Sequence, residues 1–380
     1  MSSMQSSGHW KPTSLQALYY GDGAVLENLI KSLPSETSKA FIITTSSLKD
    51  SAALHSVETC LGSRHAGTFS SIKAHAPVKD LDAATEAIKA NSSVNTLISI
   101  GGGSPIDSTK AIIHRVHERT NQWLHHITIP TTLSAAECTF NAGYTNESGI
   151  KTGIADPHLP PQVIIYDASF VAGLTPQKLW LSTGLRALDH AVETWYRTDT
   201  PTAPTRPLVL SAIKDLFEYL PKSKQSPNDK TIITALQLAA FNSLWPFGVG
   251  MKGGLGLSHS LGYALGSPYG IPHGTTSCLT LGKVVKLRAE EGGETARLLA
   301  QLASSVGRQS SGDDGADAVG VGEAIEELVR GLGLETDLGE WKVQKSELET
   351  IVKRATGGDQ VLADRVRGLV RSLWVDGEKL

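Results

Sequence analysis

The sequence predicts an α/β fold in which a doubly wound, mostly parallel, Rossmann-like sheet is followed by an all-helical C-terminal domain. Three observations lead there. Short β-branched runs alternate with amphipathic stretches as far as Asp167, the pattern of βαβ units. Beyond the Gly173–Pro176 break those runs give way to helical periodicity. A chain of 380 residues with 40% hydrophobic content is too long for one ordinary core, and the change of pattern places the division at 1–175 and 176–380.

In chain order, strands are expected at Ala40–Thr45 (AFIITT), Thr96–Ile100 (TLISI), His126–Pro130 (HITIP) and Val163–Tyr166 (VIIY). Helices are expected between or before them at Ala24–Leu33, Asp80–Ala90 and Pro105–His117. In the second half, helical periodicity covers Leu179–Tyr196, Leu208–Leu220, Thr231–Leu244 and Glu323–Leu332. The Ser-, Gly- and Asp-rich stretch Ser304–Gly322 buries little apolar surface and reads as a mobile connection.

Composition narrows the function classes. The net charge of −3 comes from 35 basic and 38 acidic side chains scattered along the chain, so no field attracts a polyanion and nucleic acid is not an expected partner. The start, Met1–Lys11, is polar and lacks the apolar stretch of a signal peptide. No run approaches the ~20 apolar residues of a membrane span. The closing Gly377-Glu378-Lys379-Leu380 matches neither an ER-retention nor a peroxisomal signal, so the expectation is a cytoplasmic protein acting on a small molecule. Cys60, Cys138 and Cys278 are far apart with no CxxC pair, which argues for isolated buried thiols rather than disulfides or a zinc knuckle.

The strand Thr96–Ile100 runs directly into Gly101-Gly102-Gly103-Ser104-Pro105-Ile106-Asp107, with helical character from Ser108 onward. Strand, glycines, helix is the order a phosphate site requires, because glycines admit a pyrophosphate to the backbone and the helix dipole faces the anion. Ser104 is the expected N-cap, Pro105 the first helical residue and Asp107 its capping-box partner. The stretch is not G-x-G-x-x-G, and a simple tight turn is the alternative.

These residues take their place in a longer series. Gly21-Asp22-Gly23, Gly101-Gly102-Gly103-Ser104 with Asp107 and Lys110, Ile129-Pro130-Thr131-Thr132, Lys151-Thr152-Gly153 and Val163–Asp167 are followed by His190-Ala191-Val192-Glu193, His259 and Pro272-His273-Gly274. In kind and order this series resembles the iron-containing alcohol dehydrogenases, most of all their maleylacetate reductase branch, with the dehydroquinate-synthase-like fold. The resemblance implies an NAD(P)-dependent oxidoreductase. Gly102, Gly103 and Ser104 would hold the pyrophosphate, Asp107 would belong to the same cofactor site, Thr131 and Thr132 would lie toward the ribose or nicotinamide, and substrate would enter an interdomain cleft. It also implies a homodimer joined through an edge strand.

Three departures matter. Where relatives carry an NAD-selecting carboxylate this chain has Thr45, with Lys49 nearby, which leaves NAD and NADP equally open; capping of the next helix is the other use for Thr45. Metal-dependent members hold their ion with an Asp, a His four residues later and two further His. His190, His259 and His273 match, but Arg186 takes the carboxylate position, so a divalent metal is not expected. In the metal reading Asp189 is the carboxylate that completes a shell with the histidines; otherwise it pairs with Arg186 or faces solvent. Finally, Tyr263 takes the place of another histidine. The resemblance thus implies catalytic roles for Arg186, His190, His259, Tyr263 and His273, in reduction of a carbonyl or activated alkene. An iron- or zinc-dependent alcohol dehydrogenase, and a non-redox isomerase, lyase or cyclase, are the alternatives. His125 and His158 lie outside these motifs and read as structural.

Overall fold

A computed structural model of the chain describes residues 9–148, 151–200, 203–249 and 253–375; the first eight residues and the Gly377–Leu380 tail lie outside the described residues. Six strands form one parallel sheet: β1 (Ala17–Tyr20), β2 (Ala40–Ile43), β3 (His65–Phe69), β4 (Thr96–Gly101), β5 (His125–Pro130) and β8 (Val163–Tyr166), in the order β1-β8-β5-β4-β2-β3. A separate antiparallel hairpin pairs β6 (Asn141–Thr145) with β7 (Lys151–Ala155). The four expected strands are all present. Edge strands β1 and β3 and the hairpin were not anticipated: β1 is only four residues long and nowhere fully buried, and β3 and the hairpin carry Gly, His and Thr instead of a continuous apolar run.

Helices cover both faces. Ile42, Ile98, Ile100, Ile127 and Ile129 pack with Val25 of α1 (Ala24–Asn28) and Leu54 of α2 (Ala52–Leu61). Alternate residues Phe41, Ile43 and Leu97 point the other way, to Leu81 of α3 (Val78–Lys89) and Ile112 of α4 (Gly103–Thr120). The period-two alternation of a strand buried on both sides produces this division.

The C-terminal half holds nine helices among the described residues: α5 (Gln177–Tyr196), α6 (Thr205–Gln225), α7 (Lys230–Leu244), α8 (Leu257–Tyr269), α9 (His273–Glu290), α10 (Gly293–Ala300), α11 (Asp314–Leu332), α12 (Leu348–Thr356) and α13 (Gln360–Arg371). Every residue of α5 from Trp180 to Tyr196 is buried. Its Leu185, Leu188 and Val192 join Ile213, Leu216, Leu236, Leu281 and Val285 in the main helical core. Two hydrogen bonds fix α5 against the sheet edge: Thr175 Oγ1 donates to Thr131 O at 2.8 Å, and Leu133 N donates to Thr183 Oγ1 at 3.1 Å.

The expected mobile stretch at Ser304–Gly322 is instead a short turn (Ala303–Val306) followed by the start of α11, whose Asp313 N-cap accepts from Ala316 N. Its last glycine, Gly322, serves close packing against Gly282 of α9. A Cβ on Gly322 would stand 2.8 Å from Gly282 O and 2.6 Å from Lys286 Cγ, and one on Gly282 would stand 2.9 Å from Gly322 O. Composition alone reads such glycines as flexibility; here they let α11 and α9 cross with their backbones nearly touching.

Candidate active site

The candidate nucleotide side is built where β4 ends. Gly101 has φ +138°, and a Cβ there would meet Pro105 Cγ at 2.9 Å, so only glycine fits. Helix α4 begins at Gly103 with Gly102 as N-cap, and no side chain caps it. Ser104 is therefore not the cap but a first-turn residue, and the expected capping box does not form: Asp107 Oδ2 accepts from Gly143 N at 3.1 Å instead. The hairpin, invisible in the sequence pattern, claims that carboxylate. The segment leading into the hairpin holds Lys110, whose buried Nζ donates to the carbonyls of Ala136 (2.6 Å), Thr139 (2.8 Å) and Asn141 (2.8 Å); burial holds its pKa below the usual lysine value.

An uncapped helix start beside glycines is a natural anion site. The loop after β5 lies against it: Thr131 N donates to Gly101 O at 2.9 Å. A Cβ on Gly102 would stand 3.0 Å from Thr132 Oγ1, and one on Gly103 3.5 Å from Ser134 Oγ. Thr45 leaves β2 at the same sheet edge and precedes the turn Ser46–Leu48, but its side chain does not cap that turn; it pairs with Ser47 Oγ at 2.8 Å.

In the helical half, α5 supplies Arg186, Asp189, His190 and Glu193, all buried. Glu193 organises the start of α8. Its Oε1 accepts from Ser258 N at 2.7 Å, and its Oε2 accepts from His259 N at 3.2 Å and pairs with His259 Nδ1 at 2.7 Å. Asp189 Oδ2 accepts from Ser258 Oγ (2.9 Å) and Ser277 Oγ (2.6 Å), and Oδ1 lies 3.4 Å from His259 Nδ1. Arg186 Nη1 stands 3.5 Å from Asp189 Oδ2 and donates to Ser277 Oγ at 3.3 Å. Of the two fates open to Asp189 besides metal binding, pairing with Arg186 is the one found. Gly262 makes room for the guanidinium, since a Cβ there would approach Nη1 to 3.2 Å.

This arrangement splits the two neighbouring imidazoles, whose ring centroids are 4.8 Å apart. Burial and the charges of His259, Arg186 and His273 hold His190 well below the ordinary histidine pKa. Burial and Arg186 also push His259 down, but Asp189 and Glu193 outweigh them and it stands above the ordinary value. Asp189 resists its own desolvation because His259 and Arg186 favour the carboxylate, so its pKa is lowered. His190 Nδ1 and His259 Nε2 are buried without a hydrogen-bond partner among the described residues, as expected of ring atoms that meet a ligand.

His273 opens α9, with the half-exposed Tyr263 ring edge-on to it at 6.0 Å between centroids. His75, from the loop before α3, meets the same ring at 5.6 Å. His75 sits in none of the motifs that single out the other residues. Glu193 sits inside one, four residues after Asp189, but only the fold reveals that it holds His259. His125 and His158 lie outside this group: His125 Nε2 contacts Ser32 O at 3.0 Å, and His158 Nδ1 contacts Asp156 Oδ1 at 2.8 Å. Among the described residues, Asp189, Glu193 and His259 place metal-ligand-type atoms within 4.8 Å of one another.

The model of the iron-containing alcohol dehydrogenases matches residues 16–168, and that of the C-terminal part of the same family matches residues 180–371. Maleylacetate reductase of Rhizobium sp. (strain MTP-10005) is 30% identical over 338 residues, 84% of this chain and 90% of that protein. Lactaldehyde reductase of Escherichia coli (strain K12) is 31% identical over 291 residues, 71% of this chain and 74% of that protein. The crystal structure of maleylacetate reductase from Agrobacterium tumefaciens superposes with a TM-score of 0.80 at 26% identity, covering 97% of this chain and 99% of that one.

Proposed function

The chain belongs to the iron-containing alcohol dehydrogenase family, close to the maleylacetate reductases, and is an NAD(P)-dependent oxidoreductase; from that premise we propose that it reduces the carbonyl or conjugated alkene of a small, carboxylate-bearing substrate without a resident divalent metal. The observation that carries this reading is Arg186, a buried guanidinium paired with Asp189 beside His190 and His259.

The residues do not fit a divalent ion. The carboxylate position of the metal-binding pattern carries a cation, Glu193 accepts from Ser258 N and pairs with His259, and Asp189 Oδ2 accepts from two serines and faces Arg186, which leaves Asp189 Oδ1 as the one oxygen of the pair without a hydrogen bond among the described residues. An ion placed among these groups would meet a fixed positive charge.

A nicotinamide nucleotide does fit. Gly102, Gly103 and Ser104 offer the uncapped start of α4, and Thr131 and Thr132 flank it. Thr45 supplies no carboxylate against a 2′-phosphate, so both NADH and NADPH are accepted. When bound, the nucleotide supplies the hydride. Arg186 then offsets the negative charge that develops on the substrate oxygen or binds its carboxylate. Glu193 fixes the His259 ring through Nδ1, which leaves Nε2 as the atom that delivers the proton. His190, held neutral, shapes the pocket beside it, and His273 and Tyr263 line its outer part. We also assign the 1–175 and 176–380 segments to the nucleotide-binding and helical domains, and infer a homodimer through β1, whose outer edge is unpaired within the sheet.

Assays with maleylacetate and with small aldehydes, following NADPH and NADH consumption together with product identity, test this reading. Stoichiometric nucleotide oxidation is the expected result; conversion without net oxidation would replace the reductase with an isomerase, lyase or cyclase. The metal-dependent reading draws on the Asp189, Glu193 and His259 cluster and predicts loss of turnover on chelation.

A further inference from the structure

The ionisable groups of the cleft described so far come from α5, α8 and α9, yet a side chain from the sheet half reaches the same place. The chain leaves β3 at Phe69 and follows the C-terminal edge of the sheet to α3 at Val78. Within it, His75 and Ala76 adopt left-handed φ values of 63° and 47°. L-residues avoid that region because Cβ crowds the backbone carbonyl, and consecutive pairs persist only where their surroundings impose them. Thr145 of β6 imposes this one: its Oγ1 donates to His75 O at 3.0 Å and its N donates to Ala76 O at 3.1 Å. Ala76 is buried, while His75 is only half-buried. The clamp holds the His75 ring edge-on to His273, with centroids 5.6 Å apart and planes at 75°.

We propose that His75 is a substrate-contacting, specificity-determining residue that closes the sheet side of the cleft and donates a hydrogen bond to a substrate oxygen remote from the carbon being reduced. The proposal rests on the reductase reading, which places the substrate between the nucleotide at the sheet edge and the histidines of the helices. His75 is an imidazole from the sheet half that meets His273. A strained turn, fastened at two backbone carbonyls, delivers this polar ring to the boundary between the halves, where an apolar residue would serve packing alone.

The test compares wild type, His75→Ala and His75→Asn with NADPH and two aldehydes of equal chain length, succinic semialdehyde and butanal, the second lacking the terminal carboxylate. In parallel, succinate is titrated calorimetrically into NADP-loaded protein. His75→Ala is expected to raise KM for succinic semialdehyde and Kd for succinate by about tenfold, the loss of one hydrogen bond to a charged group. The kcat, the butanal KM and the NADPH affinity stay within about threefold, and His75→Asn, which keeps an N–H donor, recovers part of the loss. Unchanged KM and Kd values would overturn the proposal. So would equal losses on both aldehydes with a lowered melting temperature, the mark of a packing role. Wild-type turnover with an indifferent His75→Ala variant removes this inference and leaves the reductase standing. His75-dependent succinate binding without any turnover removes the reductase and leaves His75 standing, and absence of both overturns both.

Discussion

At the scale of single residues, the proposed metal-free chemistry turns on Arg186 standing where the metal-binding pattern has a carboxylate. Arg186→Ala is expected to lower kcat/KM by about a hundredfold or more, the effect of removing a preorganised charge, with NADPH affinity unchanged; steady-state kinetics with a nucleotide titration checks this. Arg186→Asp restores the carboxylate of the metal-binding pattern next to His190, His259 and His273, and is expected to bind zinc in a calorimetric titration where wild type does not. These residues were legible because motif spacing marks them: an i, i+4 pair on α5 and two later histidines. Glu193 and His75 were not assigned roles. One acts through a helix start 65 residues away in sequence, the other through a turn whose backbone conformation no residue type announces.

At the scale of elements, strands buried on both faces and long helices were readable, while edge strands and the hairpin were not. Burial explains the difference: β4 is buried throughout, whereas β3 is half-buried at every position. The glycines of α11 mark the clearest limit. Gly322→Ala is expected to destabilise the protein by about 1–3 kcal/mol through overpacking against Gly282 and Lys286, while Gly320→Ala, with open space at its Cβ, is expected to stabilise by about 0.5–1 kcal/mol. Thermal denaturation of the two variants separates glycine as contact from glycine as flexibility. Within β5, His126 is fully buried, its Nε2 2.9 Å from Ser99 Oγ, and burial holds it well below its ordinary value of 6.5. The folded state then binds fewer protons than the unfolded chain, so stability is complete above 6.5 and falls as pH drops through that value. Melting curves between neutral pH and mild acid are expected to show this loss, with a shallower slope in His126→Asn; an unchanged slope would assign the acid sensitivity elsewhere.

At the scale of the whole molecule, the division into a sheet half and a helical half follows from the change in hydrophobic period near Gly173, but the way the halves meet does not. Thr175 and Thr183 tie the loop after β5 to α5, so the nucleotide side and the histidines are held by the same short segment. Thr175→Val, which keeps the shape and removes the hydroxyl, is expected to cost about 0.5–1.5 kcal/mol of stability and to lower kcat more than it weakens NADPH binding. Among the described residues no helix is long and apolar enough to cross a membrane. The charge arrangement also closes at this scale: two buried carboxylates on α5 meet one guanidinium and one imidazole, so the protein supplies its own partners for both.

The most direct measurement is elemental analysis of the purified, catalytically active protein, paired with the reductase assay before and after exhaustive chelation. Reduction that proceeds unchanged by chelation, in protein carrying far less than one divalent ion per chain, is the predicted result. One tightly held iron or zinc per chain, removed together with the activity and restored with it, would contradict the assignment of Arg186 as the resident cation of the site.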